Sequence, residues 1–128
     1  MNGNLIDTNV IIKLLNGDQA TVDMFETLID IKISSVTAGE LYYGARKSSK
    51  VKENLELFKG FLSEYHIIEI DESVSNVYGE LKANLVKQGI NIPENDIWIA
   101  ATAIYNNLTL VTYDEHFKKI NSLSLLKT

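Results

Sequence analysis

The sequence contains no cysteine. That removes disulfides and thiolate metal sites from consideration and matches a chain at home in a reducing cytoplasm. No apolar run reaches 18 residues, so no membrane-spanning helix is expected. The N-terminus lacks the basic stretch and long apolar core of a secretory signal. Repeats, low-complexity tracts and Pro/Gly-rich linkers are also missing, and 128 residues suit one domain. Basic residues are in short supply: 12 Lys and Arg face 17 Asp and Glu, a net charge of −5. Taken alone, that balance argues against a nucleic-acid binder, because phosphates call for Lys and Arg. The deficit is uneven, however. Arg46, Lys47, Lys50, Lys52 and Lys59 stand against only Glu53 and Glu56 in residues 41–60, a local positive surplus.

Apolar residues make up 45% of the chain, enough for a substantial core. Residues 3–6 read as a strand and 8–15 as a helix that Gly17-Asp18 ends. A second helix is expected over 19–29 and a β-prone run over Ile31 to Ser35. Thr37-Ala38-Gly39-Glu40 has the spacing of a capping box, which predicts a helix opening there with Glu40 in its first turn. Val51, Leu55, Phe58 and Leu62 form a helical stripe. His66–Ile70 reads as a strand, and residues 74–85 as a long helix stopped by Gly89. Pro93, the single proline, is placed to start a helix whose apolar face carries Ile97, Trp98, Ala101, Ile104 and Tyr105. Thr109–Thr112 completes the strands, with a weak extra one near the C-terminus. Short apolar strands alternating with helices predict an α/β fold with a mainly parallel sheet. In such sheets the site lies beyond the carboxyl ends of the strands.

Four acids fall at that edge. Asp7 interrupts the apolar run "NLIDTNVIIKLL" directly after the first strand. Glu40 follows the second strand, Asp114 follows the last, and Asp96 opens the apolar helix "IWIAATAIY". Each has an ordinary structural reading: a helix cap for Asp7, half of a capping box for Glu40, a dipole partner for Asp96, a turn for Asp114. The set is harder to explain that way. Two carboxylates about 4 Å apart repel by roughly 4 kcal/mol at an effective dielectric near 20. A divalent cation relieves the crowding, and an all-oxygen donor set points to Mg²⁺ or Mn²⁺ rather than Zn²⁺. His66 begins a strand and reads as a surface or packed residue. His116 follows Asp114 closely enough to reach such a pocket, but the donor set is read as oxygen alone.

The segments "LIDTNVII", "SSVTAGELYYGAR", "NDIWIAATAI" and "LTLVTYDEHF" resemble, in order and over residues 5–120, those of PIN-domain nucleases, and more narrowly the VapC-type toxins of toxin–antitoxin pairs. The resemblance implies a PIN-like three-layer sandwich of helices around a short parallel sheet. It also implies Mg²⁺-dependent endoribonuclease activity, in which metal-activated water cleaves RNA. Asp7, Glu40, Asp96 and Asp114 match the acids of that site, with Asp7 and Asp96 as first choices for direct ligands. Many members carry a second acid just before the last Phe, where this chain has His116, so Asp114 is expected to supply that corner alone. Thr8, Asn9 and Thr112 match small polar residues that support the site. Partners implied are an RNA substrate, a small antitoxin protein, and a second copy in a homodimer. Arg46, Lys47 and Lys50, in the basic stretch that begins right after the Glu40 helix, are the residues expected to hold RNA phosphates.

Two other acidic-pocket families fit less well. A receiver-type phosphoacceptor domain needs adjacent acids after the first strand and an Asp after the third, yet Thr8-Asn9 follows Asp7 and residues 36–65 contain no Asp. A dehalogenase-like phosphatase needs a second Asp where Asn9 stands. A PIN fold used only for binding is marked by loss of its acids, and all four are present.

Overall fold

The computed structural model describes residues 3–126. Four short parallel strands form its centre: β1 (Asn4–Ile6), β2 (Ile31–Ser34), β3 (His66–Ile68) and β4 (Thr109–Val111), in the order β3-β2-β1-β4. Register runs Leu5 beside Lys32 on one side and Leu110 on the other. Parallel strands need crossovers, and helices supply them. Helices α1 (Thr8–Leu15) and α2 (Gln19–Glu26) link β1 to β2, and α3 (Ser35–Arg46) and α4 (Val51–Leu62) link β2 to β3. The chain then returns through α5 (Glu72–Lys87) and α6 (Glu94–Tyr105) to place β4 on the far side of β1.

The strand alternation sorts side chains between two cores. Leu5 and Leu110 pack with Leu81, Leu85 and Ile97 from α5 and α6. Ile6 and Val111, one residue on, pack with Val10, Leu41 and Phe58 from α1, α3 and α4. Successive residues of a strand point to opposite faces, so the sheet is the middle of three layers, as the fold-class expectation has it. Leu125 forms a single parallel bridge to Leu110, covering the outer edge of β4 where a weak strand is expected. At the other end of β1, Gly3 is a true requirement. A Cβ there would lie 2.3 Å from the Asp30 carbonyl oxygen.

Several boundaries differ from the sequence reading. The second helix stops at Glu26, short of residue 29. Helix α3 starts at Ser35, because Ser34 takes the cap: its Oγ accepts from the amides of Val36 and Thr37. The capping box is therefore not used, and Glu40 sits in the second turn of α3. Thr37 falls inside the helix, fully buried, with no partner for its hydroxyl among the described residues. In α6 the buried apolar side chains are Ile97, Ile99, Ala100, Ala101 and Ala103, joined by Asp96 and Thr102, while Tyr105 is exposed. That helix lies between the sheet and α5, so burial wraps most of its circumference and a one-sided stripe no longer describes it. Trp98 instead stacks on Tyr78 of α5, ring centroids 3.8 Å apart.

Candidate active site

The strand order reverses at β1: the chain moves out through β2 and β3 and returns to β4. Such a switch point leaves a crevice beyond the carboxyl ends of β1 and β4. Asp7 occupies it. Its backbone amide donates to Val111 O of β4 at 2.9 Å, which fixes the residue between the two strands. Its side chain caps α1, Oδ1 accepting from the Thr8 amide at 2.8 Å. The cap reading of Asp7 is thus correct, yet it uses one oxygen only. The other, Oδ2, accepts from the Thr112 hydroxyl at 2.7 Å and lies 3.4 Å from Asn9 Nδ2.

Thr112 in turn accepts from the Asp114 amide at 3.0 Å, and Asn9 Oδ1 accepts from the Tyr113 amide at 3.1 Å. These bonds tie the loop after β4 to the start of α1. Glu40 is held from two sides: the Thr8 hydroxyl donates to Oε1 at 2.6 Å, and Asn95 Nδ2 lies 3.4 Å from Oε2. Although the helix starts earlier than expected, α3 still presents Glu40 to α1 and α6. Asp96, in the first turn of α6, is buried and meets His116 Nε2 at 2.6 Å through Oδ2. His116 Nε2 is also 3.9 Å from Asp114 Oδ2.

The structure therefore gathers Asp7, Glu40, Asp96 and Asp114 around one crevice, with Thr8, Asn9 and Thr112 bonded to them. It adds Asn95 and His116, which sequence reasoning leaves out of the set. Asp114 does not stand alone at its corner: a 3₁₀ turn over Glu115–Lys119 brings His116 back across α6. The one signal in the sequence is the closeness of His116 to Asp114, and spacing alone does not reveal that the ring turns inward. His66, by contrast, is exposed.

The basic residues lie elsewhere. Arg46 is at the C-terminal end of α3, six residues or about 9 Å of helix beyond Glu40. It lines a groove with Tyr42, Leu55, Glu56 and Lys59. The Lys47 ammonium sits 5.0 Å from the centre of the Tyr43 ring, and Lys50 is exposed at the start of α4. None of the three forms an ion pair with the site acids among the described residues.

Electrostatically the crevice is under load. Burial pushes the Asp7 carboxyl up from 3.8 to about 6, against the lowering effect of its hydrogen bonds to Thr112 and Thr8; the charges of Asp96 and Glu40 raise it further. Asp96 is also raised, chiefly by burial, with Asp114 and Glu40 adding repulsion and His116 opposing them. Asp7 and Asp96 are thus both raised by neighbouring carboxylates as well as by burial, as a shared pocket requires. One donor atom each from Asp96, Asp114 and His116 lies within 4.8 Å of the others. Two buried carboxylates, Asp7 and Asp96, with the half-buried Glu40 and Asp114 beside them, fit a hard divalent cation, which neutralises the charge that hydrogen bonds leave uncompensated.

Comparisons agree with this geometry. Residues 5–123 match the PIN domain family. The chain is 35% identical over 126 residues to the Ribonuclease VapC2 of Rickettsia felis, covering 94% of each protein. It is 33% identical over 122 residues to the tRNA(fMet)-specific endonuclease VapC of Shigella flexneri, covering 93% of this chain and 92% of that one. Among solved structures, that of VapBC2 from Rickettsia felis bound to a DNA fragment from their promoter aligns with a TM-score of 0.89 at 35% identity, over 96% of both chains. The sandwich of helices around a short parallel sheet is the fold this chain shares with that structure. The chain belongs to the PIN-domain family and, within it, to the VapC ribonucleases.

Proposed function

We propose that this protein is a Mg²⁺-dependent endoribonuclease, the toxin of a type II toxin–antitoxin pair, acting as one PIN domain in the cytoplasm. The observation that carries the reading is the convergence of Asp7, Glu40, Asp96 and Asp114 on one crevice at the switch point of the sheet. The names of the relatives support it, since they are a ribonuclease and an endonuclease. So does the VapBC assembly that the fold matches, from which a small antitoxin protein and a homodimer are inferred as partners. No helix among the described residues is long and apolar enough to cross a membrane.

Asp7 and Asp96 would hold the ion directly, Glu40 through water or by orienting the nucleophile, and Asp114 would complete a second, weaker position. Mg²⁺ suits carboxylate and water oxygens, and Mn²⁺ is the natural substitute. When bound, the ion supplies Lewis-acid chemistry, activating water and offsetting charge on the phosphate. The chain's own work is preparation. Thr8 and Thr112 pin both oxygens of Asp7, and Thr8 and Asn95 pin Glu40, so little ordering remains when substrate arrives. Attack by a ribose 2′-hydroxyl would need a dedicated acid–base pair. Hydrolysis at the acidic crevice gives 5′-phosphate and 3′-hydroxyl ends instead. Arg46, Lys47 and Lys50 would hold RNA phosphates that the acidic crevice itself repels.

The test is cleavage of a defined RNA panel, transfer RNAs included, with Mg²⁺ or with chelator, using Asp7→Asn as control. Cutting should require Mg²⁺ and Asp7 and leave 5′-phosphates. Cutting that survives both chelator and substitution would refute the reading, and a folded protein that binds RNA without cutting it would instead be a PIN-fold binding module.

A further inference from the structure

We propose that His116 is a nitrogen donor at the second divalent-ion position, the one Asp114 completes beside Asp96, and that it tilts that position from Mg²⁺ toward Mn²⁺. The proposal rests on the reading that the acidic crevice binds a divalent cation, and adds to it a donor of a different chemical kind.

The placement of the ring is built into the fold. Phe117, fully buried, anchors the 3₁₀ turn, and the His116 ring lies against it with centroids 5.0 Å apart. The ring is half-buried, and its Nε2 faces Asp96 Oδ2 at 2.6 Å and Asp114 Oδ2 at 3.9 Å. Two carboxylates from separate elements thus converge on one imidazole nitrogen. Neither a surface histidine nor a packing histidine needs that arrangement. No Lys or Arg pairs with the Asp96 carboxylate among the described residues; the side chain that meets it is the His116 ring.

The consequence is selectivity. Mg²⁺ is small and hard, prefers oxygen, and dehydrates reluctantly. Imidazole favours first-row transition ions, of which Mn²⁺ is the most oxygen-tolerant and tolerates mixed sites. Replacing one carboxylate oxygen of an acidic site by an imidazole nitrogen lowers the site's negative charge, which disfavours Mg²⁺, and keeps a donor that Mn²⁺ accepts. Either ion would bind the wild-type crevice, with Mn²⁺ the tighter.

Mn²⁺ added to the metal-free protein, alone and in competition with Mg²⁺, tests this by electron paramagnetic resonance. Pulsed spectra of the wild type should show coupling to an imidazole ¹⁴N. His116→Gln keeps an amide able to bond Asp96 but removes the imidazole, so it should abolish that coupling. It should also weaken Mn²⁺ binding about tenfold or more while changing Mg²⁺ binding much less. Bound Mn²⁺ without nitrogen coupling would overturn the proposal and leave the metal reading standing. So would equal losses for both ions, since His116 would then only position Asp96. No Mn²⁺ binding by the wild type would remove the metal reading and the proposal together. The wild-type spectrum decides the matter even where the variant fails to fold.

Discussion

Helices α1 and α2 begin with the same residue type in the same role, and their beginnings behave in opposite ways. Asp18 caps α2 at the surface, bonding the amide and hydroxyl of Thr21, and those bonds hold its carboxyl below the ordinary range. Asp7 caps α1 with 2% of its surface exposed, and its carboxyl is pushed up to about 6. A cap needs one oxygen and an exposed carboxylate supplies it at little cost. Asp7 is buried beyond what capping requires, and three further acids are brought near it. Capping explains Asp18 entirely and Asp7 only by half. The unexplained half, a buried charge crowded by its own kind, marks the site.

Exchanging the two acids gives the largest expected contrast. Asp7→Asn keeps the cap but removes a charge from the crevice. Since metal-assisted stabilisation amounts to several kcal/mol, RNA cleavage should fall on the order of a thousandfold. Asp18→Asn should leave the cleavage rate unchanged. Equal effects would erase the distinction.

The pH dependence of stability sharpens it further. In the metal-free protein the folded state holds the Asp7 proton more tightly than the unfolded chain does, because its value is raised from 3.8 to about 6. The protonated form is therefore favoured in the fold. Its stabilising advantage is complete below the unfolded value and is lost as pH rises through about 6, a change of about 3 kcal/mol. Asp96 acts in the same direction. Denaturant unfolding between pH 4 and 7 should show the loss in the wild type and a flatter profile in Asp7→Asn, which should be the more stable of the two at pH 7 without metal. For Asp18 the sign is reversed, since its lowered value stabilises the fold above the unfolded value and is lost as pH falls.

Effects that belong to folding alone should appear away from the crevice. Gly3→Ala sets a methyl against the Asp30 carbonyl at the start of β1, and a destabilisation of about 1–3 kcal/mol should show in thermal unfolding. Cleavage by the folded fraction should be unaffected. Thr37→Val removes the unpaired buried hydroxyl of α3 and should raise stability by about 1 kcal/mol. Arg46→Ala should be quieter still: RNA binding weakens modestly, and the slope of log affinity against log salt falls by about one. An unchanged slope would move the phosphate contacts elsewhere.

The same contrast explains what could be read from residues alone. The sheet was legible because short apolar strands alternate with helices, and three of the acids were legible because Asp7 and Asp114 follow strands and Asp96 opens a helix. Glu40 was placed by a capping-box spacing that the fold does not use. Boundaries were less so. The capping-box pattern at Thr37 lost to Ser34, whose hydroxyl already sat where the strand turns into α3. Helix α6 was misjudged on its face because two layers cover it, which periodicity does not record. His116 and Asn95 were the real omissions. Both reach the crevice through a turn or helix orientation that only tertiary packing sets, and neither breaks an apolar run as Asp7 does.

The central claim is that distant carboxylates meet around a hard cation. Crystals soaked in Mn²⁺ and measured at its absorption edge address it most directly. The account predicts an anomalous peak bounded by Asp7, Asp96 and Asp114, absent in Asp7→Asn. An ordered, folded crystal with no peak in the crevice, or with its strongest peak on another face, would contradict it.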